Sequence, residues 1–253
     1  LTYRSAMGRK DIVTEGDFGM SYFSGRPVFD EIWPRFLVTI RMSLLILVIS
    51  VCVGVPVGIY SAVKQYSLWD TVPTMMAFFL AAVPSFVIGM VLMYFFALKI
   101  NIFPSFGLSG LKSYILPVSA VAISEAAAYL RFTKSSMLEA IRQDYVRTAR
   151  GKGVPERTVI WKHAMRNALL PVITCVGMRF GVLLAGMVTT ERLFSIPGIG
   201  SLIVDSISKK DEPVIIAASI LIASAFTMLM LLVDIAYAYV DPRIRAKYSR
   251  LER

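Results

Sequence analysis

Residues Met42–Val63 read MSLLILVISVCVGVPVGIYSAV, a stretch without one charged side chain. A helix needs about 20 predominantly apolar residues to cross a bilayer, and this run supplies them. Four more runs follow. Thr71–Leu98 is uncharged, Ser113–Leu130 carries only Glu125, Asn167–Thr190 only Arg179, and Pro213–Val240 only Asp234. Together they predict an all-α polytopic membrane protein with five spans. The runs are continuous rather than alternating, which excludes a transmembrane barrel. Pro56, Pro84 and Pro117 fall inside or near the start of these runs, where membrane helices tolerate proline better than soluble ones do.

Composition agrees. Of 253 residues 56% are hydrophobic and 17% charged, with a mean hydropathy of +0.65. A soluble domain of this size carries about 25% charged residues. The net charge of +10 has too little solvated surface behind it for nucleic-acid binding. Cys52 and Cys175 lie within apolar runs and read as small buried hydrophobes. The single histidine, His163, leaves no basis for a histidine metal cluster.

Lysine and arginine set the orientation. Arg131–Arg166 holds nine of the 27 basic residues against three acidic ones, and Asp241–Arg253 holds five more. Two spans separate these stretches, so both lie on one side, predicted to be cytoplasmic. Asn101–Ser113, Glu191–Glu212 and residues 1–35 then face outward. An outward N-terminal segment that begins at Leu1 without a signal peptide leads to the expectation that a first membrane helix precedes it. The full protein would have six spans, residues 1–35 being an extracytoplasmic segment and 36–253 the transmembrane domain.

Within the 131–166 loop, Asp144-Tyr-Val-Arg-Thr-Ala-Arg-Gly-Lys-Gly153 reads as a short helix with Tyr145 and Ala149 on one face. Gly153 stands where a left-handed C-terminal cap belongs. Pro155 and Glu156 suit the first turn of a second helix, which runs through Val159, Ile160 and Trp161 to about Ala164 and exposes those three. A basic loop lying on anionic lipid would not need a capped turn of this kind. The loop reads as a docking element.

Ala149-x-x-x-Gly153, placed before the penultimate span, resembles the EAA loop of ATP-binding-cassette importer permeases. Arg147 occupies that family's glutamate position, and His163-Ala-Met-Arg166 replaces its Ile-x-Leu-Pro. Both departures resemble the peptide/nickel branch, as does His163-Ala-Met-Arg-Asn-Ala-Leu-Leu-Pro171. Gly16-Asp-Phe-Gly-Met-Ser21 with Gly25-Arg-Pro-Val28, Arg131-Phe-Thr-Lys-Ser-Ser-Met-Leu-Glu139, Glu191-Arg-Leu-Phe-Ser-Ile-Pro-Gly-Ile-Gly200 and Asp241-Pro-Arg-Ile-Arg245 resemble further segments of that branch, in order and in topological register. The resemblance extends from Gly16 onward and is strongest to the first, "B"-type, dipeptide/oligopeptide permease.

The resemblance implies a type I importer permease of the bacterial cytoplasmic (inner) membrane, forming half of a pore. A second homologous permease, two cytoplasmic ATPases, an extracytoplasmic substrate-binding protein and membrane lipid would be its partners. Asp144, Tyr145, Arg147, Ala149, Arg150, Gly153, Pro155, Val159 and Ile160 would dock the ATPases, with Arg157 facing solvent or acidic groups there. The chain has no Gly-x-x-x-x-Gly-Lys-Ser/Thr loop, so ATP and magnesium would belong to the partner subunits, and this chain alone would be neither an enzyme nor a cofactor binder. Di- or oligopeptide is the expected cargo. Nickel or a metal–chelator complex is the alternative, and a secondary transporter or channel a second alternative.

Ionisable residues inside spans usually face a cavity or a partner. Arg41 and Asp234 sit near span ends and can snorkel. Glu125 lies six residues from Arg131, roughly 9 Å into the membrane, and Arg179 lies twelve from Asn167, roughly 18 Å in. A long arginine can bridge that difference. Either Arg179 pairs with Glu125, or it lines the pathway and meets a substrate carboxylate.

Overall fold

The computed structural model describes residues 18–108 and 110–240. Helix α1, Val28–Val63, is 36 residues long, about 54 Å at 1.5 Å per residue against a hydrocarbon core of about 30 Å. It therefore starts inside the stretch assigned to the extracytoplasmic segment. Asp30 and Glu31 in its first turn suit the positive end of the helix dipole. Val28, Ile32 and Phe36 are buried against Ile199, Leu202, Val214 and Ala217, which anchors the projecting end. The chain before it folds back on itself. Met20 pairs with Pro27 in an antiparallel bridge, and the Tyr22 N–H and Ser21 hydroxyl both donate to Asp211. Gly16, Asp17 and the tail motif Asp241–Arg245 lie outside the described residues.

The second apolar run is not one straight helix. Helix α2, Leu68–Ala82, and helix α3, Ser85–Leu92, with its π-helical continuation Met93–Lys99, are bent by 99° at the junction. The cause is Pro84. Its ring drives the preceding residue out of the helical region, and Val83 is extended, with ψ 122°. Helix α4, Ile115–Ile141, follows a short 3₁₀ turn at Leu111–Tyr114. Short loop helices α5, Asp144–Gly151, and α6, Glu156–Thr158, come next, and α6 runs without a break through a π-helical stretch, Val159–Ala164, into α7, Met165–Gly186. The second loop helix is thus the base of the next span, and does not stop near Ala164. At the end of the bundle away from the 131–166 loop lie α8, Val188–Leu193, and α9, Ile199–Lys209. Helix α10, Glu212–Val240, is the last among the described residues. Four continuous helices are long and apolar enough to cross a membrane, and the bent α2–α3 pair makes a broken fifth.

Lipid tails remove the hydrophobic drive between spans, so close packing has to replace it. The most extensive helix contact joins α1 to α4, and it depends on Gly54-x-x-x-Gly58. A Cβ on Gly54 would lie 2.4 Å from the Ala126 carbonyl oxygen and 2.9 Å from the Tyr129 Cβ. One on Gly58 would lie 2.7 Å from the Leu130 carbonyl oxygen and 2.8 Å from the Thr133 Cβ. Gly177-x-x-x-Gly181 plays the same part between α7 and α10, but against side chains. A Cβ on Gly181 would meet the Phe226 ring. Cys175 is buried as expected. Cys52 is exposed on α1, because the outward face of a membrane helix is itself apolar.

A ring can swing aside where a backbone carbonyl cannot. Gly58→Ala should therefore cost about 1–3 kcal/mol, the range for overpacking a core, and Gly181→Ala clearly less. Thermal unfolding of the two variants in detergent, followed by size-exclusion fluorescence, checks this. Equal melting temperatures for both would refute backbone contact as the limiting feature at Gly58.

Candidate functional site

The loop helix α5 is amphipathic with a strict division of labour. Val146 is fully buried and Ala149 nearly so, packed in one cluster with Met137, Ala140, Val159, Ile160 and Ala164. Its outer side exposes Tyr145, Arg147 and Arg150. The helix ends in a Schellman cap. Gly153 N–H donates to the Arg150 carbonyl at 2.9 Å, Val154 N–H reaches the Ala149 carbonyl at 3.3 Å, and Gly153 has φ +75°. A Cβ on Gly153 would meet nothing within 4 Å, so glycine is needed there for its backbone alone. Pro155 is the cap residue, with ψ 136°, one place earlier than the first-turn position expected. Across the turn, Arg150 holds Glu156 through two hydrogen bonds of 3.0 and 2.6 Å. That bond keeps the Glu156 carboxyl below and the Arg150 guanidinium above their usual ranges.

The exposure expected of Val159 and Ile160 is not found. Ala149, Val159 and Ile160 are buried in the loop's own core and join it to the adjoining ends of α1, α4 and α7. Of the other expected docking residues, Asp144, Tyr145, Arg147, Arg150, Gly153 and Pro155 are exposed, as are Arg157 and Trp161, the last at 55%. A second tie holds this end of the bundle. Buried Asp70, at the start of α2, pairs with Lys134 of α4 and accepts the Tyr66 N–H at 3.0 Å. Its position just before an uncharged run was the available signal.

In the spans, α4 and α7 bring Glu125 and Arg179 together. Arg179 donates from Nε to Oε2 at 2.8 Å and from Nη2 to Oε1 at 3.2 Å. The guanidinium carbon also lies 5.9 Å from the centre of the Tyr129 ring. Tyr129 is fully buried beneath Gly54. The Arg179 side chain nevertheless keeps 41% of its surface open, against 18% for Glu125. The pair thus sits at a face of the bundle, with the arginine the more accessible member.

At the end of the bundle away from the loop, Glu191 of α8 is fully buried. Its Oε1 accepts the Thr39 hydroxyl at 2.6 Å and its Oε2 the Ser201 N–H at 2.7 Å, while the Ile199 N–H donates to Thr39 Oγ1 at 3.0 Å. One carboxylate and one hydroxyl from other helices thereby cap the start of α9. A Cβ on Gly198 would strike the Glu191 carboxyl at 2.1 Å, which explains glycine there. Burial raises the Glu191 carboxyl, opposed by the Thr39, Ser201 and Gly200 hydrogen bonds and by the charge of Arg35. A loop reading of Glu191–Gly200 gave no hint of a buried acid. The signal was an acidic residue followed by the helix-opening sequence Pro-Gly-Ile-Gly.

Spans of this number with a folded basic loop between α4 and α7 define a polytopic α-helical membrane protein. Residues 54–246 match the family described as binding-protein-dependent transport system inner membrane component, and the chain belongs to it. It is 40% identical over 235 residues to a glutathione transport system permease protein of Salmonella typhi, covering 93% of this chain and 77% of that one. The corresponding protein of Escherichia coli K12 is 40% identical over 233 residues, covering 92% and 76%. Two solved structures share the fold at low identity. They are the inward-facing MetNI methionine ABC transporter (14% identity, TM-score 0.69, 84% of this chain and 97% of that one) and an amino acid ABC transporter solved with histidines (15%, 0.62, 83% and 92%). The chain is a permease subunit of an ABC importer.

Glu191→Ala strands the Ser201 N–H and Thr39 hydroxyl in a buried site, at about 1–3 kcal/mol for each unmet group. Glu191→Gln keeps an acceptor for the Ser201 N–H, and the Thr39 hydroxyl can turn to donate to the Arg35 carbonyl, 3.3 Å away, while accepting from the new amide, so the change should be mild. Because the folded carboxyl is raised, its stabilising contribution is full below its unfolded pKa and declines as pH rises through the folded one. The stability lead of wild type over Glu191→Gln should therefore shrink with rising pH. Melting temperatures across pH 4 to 8 measure it, and a lead that grows with pH would contradict the assignment.

Proposed function

We propose that this subunit forms half of a translocation pathway for small peptides and is driven through its 131–166 loop by two cytoplasmic ATPases. A second homologous permease supplies the other half, and an extracytoplasmic binding protein delivers cargo. The observation that carries the reading is the loop itself. It is capped, buried on one side and open on the other, and α5 packs on Val159, Ile160 and Ala164, which are continuous with α7, so a push on α5 passes through that contact to the helix that carries Arg179. The positive-inside rule supports a reading with this loop in the cytoplasm and residues 18–27 outside. Peptide cargo is supported by the relatives, whose names give glutathione transport. Nickel or a chelate is less well supported, since no group of three metal-ligating side chains occurs among the described residues.

Within the pathway, Arg179 is the residue offered to a substrate carboxylate. Glu125 holds it in the membrane until a cargo carboxylate competes. An unpaired charge there is costly, so the pair is also needed for assembly.

Tyr and Trp are the side chains that most often dominate protein contacts. Tyr145→Ala and Trp161→Ala should each weaken ATPase retention by about 2 kcal/mol, roughly thirtyfold, while leaving the subunit in the membrane. Ala149→Asp is expected to unfold the loop instead. In the same uptake assay, Arg179→Ala should lose both assembly and transport, and adding Glu125→Ala should restore assembly alone. Pull-down of the ATPases and uptake of labelled glutathione by proteoliposomes decide. Full retention and full uptake in the Tyr145 and Trp161 variants would overturn the docking assignment, and normal uptake in Arg179→Ala the pathway assignment.

A further inference from the structure

Helices α1, α2 and α4 diverge around a groove of about 590 Å³ that no function given so far uses. Val53 and Val57 of α1, Met76 and Leu80 of α2, and Ile123 and Ala126 of α4 line it. The two flanking stripes each continue by one turn to an aromatic residue, Tyr60 on α1 and Trp69 at the start of α2. Their rings meet edge to face, 6.1 Å apart, one turn beyond the groove lining, at the end of α1 that packs on the 131–166 loop. One turn further along α1 stands Lys64, exposed and without an ion pair among the described residues.

The order along this stripe is aliphatic, aromatic, basic. It is the order a lipid presents with depth, because tryptophan and tyrosine settle at the interface and lysine attracts anionic headgroups just beyond it. The length also fits. Ile49 to Tyr60 is eleven residues, about 16 Å of helix, close to half of a hydrocarbon core of about 30 Å. A packed protein helix would not need an aromatic floor followed by an unpaired lysine, and Ser119 is the one polar side chain among the lining residues, too little to hold the charged ends of a peptide cargo.

We infer that the groove is a site for one acyl chain of an anionic phospholipid of the cytoplasmic leaflet, its headgroup at Lys64. The headgroup position rests on the orientation proposed above. Occupied, the site fills the space between α2 and the α1–α4 pair just below the bend at Pro84. The lipid therefore acts as a wedge on the broken span.

The assembled transporter, reconstituted with phosphatidylglycerol carrying a diazirine in its acyl chain, is the test. Photolabel should map to peptides from α1, α2 and α4 lining the groove, and Met76→Trp, which fills it from an exposed position, should lower that label about tenfold. A tryptophan at Leu231, exposed on α10, should leave it unchanged. Lys64→Glu should abolish the preference for phosphatidylglycerol over phosphatidylcholine without touching the fold. Label spread evenly over all exposed helices, or disulfide capture of another protein helix by Val53→Cys, would overturn the inference. Impermeant maleimide on Lys64→Cys reads the orientation separately, so an error there is distinguishable from an empty groove.

Discussion

The close approach of α1 and α4 at Gly54 and Gly58 is the contact on which the rest of the molecule depends. In lipid, apolar side chains gain nothing by leaving their neighbours for each other, so helices associate where backbones can come near. With no Cβ at either glycine, α1 lies against the Ala126 and Leu130 carbonyls. That seats Tyr129 beneath α1 and sets the azimuth of α4. Once α4 is turned this way, Glu125 points to α7, Lys134 to α2, and Met137 and Ala140 to the loop. Three separate features follow from one packing choice.

Charge is handled differently at each level of the membrane. At the end that carries the 131–166 loop, Asp70 and Lys134 neutralise each other while tying a short helix to a long one. In mid-span, Glu125 and Arg179 pair at a bundle face where the arginine stays reachable. At the end of the bundle away from the loop, Glu191 is held by hydroxyl and backbone donors at the start of α9. Of these two ion pairs, the mid-span one has the more exposed cation, 41% for Arg179 against 18% for Lys134. The outer clamp joins α1, α8 and α9 into one unit, so the outer part of α1 and the segment between α7 and α10 are linked through Thr39 and Ile199.

Much of the helix layout was legible in the sequence, because apolar run length is a direct signal of a span. The loop helix and its glycine cap were readable for a similar reason, a left-handed cap being a local property of the chain. What the sequence hid was non-local. Pro84 was read as a tolerated proline, and whether a proline bends or breaks a span depends on what packs beside it. Val159 and Ile160 look like an exposed docking edge until α4 and α5 are seen to cover them. Gly54 and Gly58 carry no meaning until their partner helix is known. Glu191 sat in a segment that looked like surface, and its burial depends on Thr39, distant in the chain.

The central claim is that the outer surface of α5 is where ATP-driven movement enters this subunit. A reversible disulfide tests it most directly. Arg147→Cys paired with single cysteines on the ATPase surface of the assembled transporter should give an efficient cross-link. The linked complex should still bind ATP, should fail to take up cargo, and should recover uptake after reduction. Failure of every ATPase position to cross-link to residue 147, or undiminished uptake by the fully linked complex, would contradict the account.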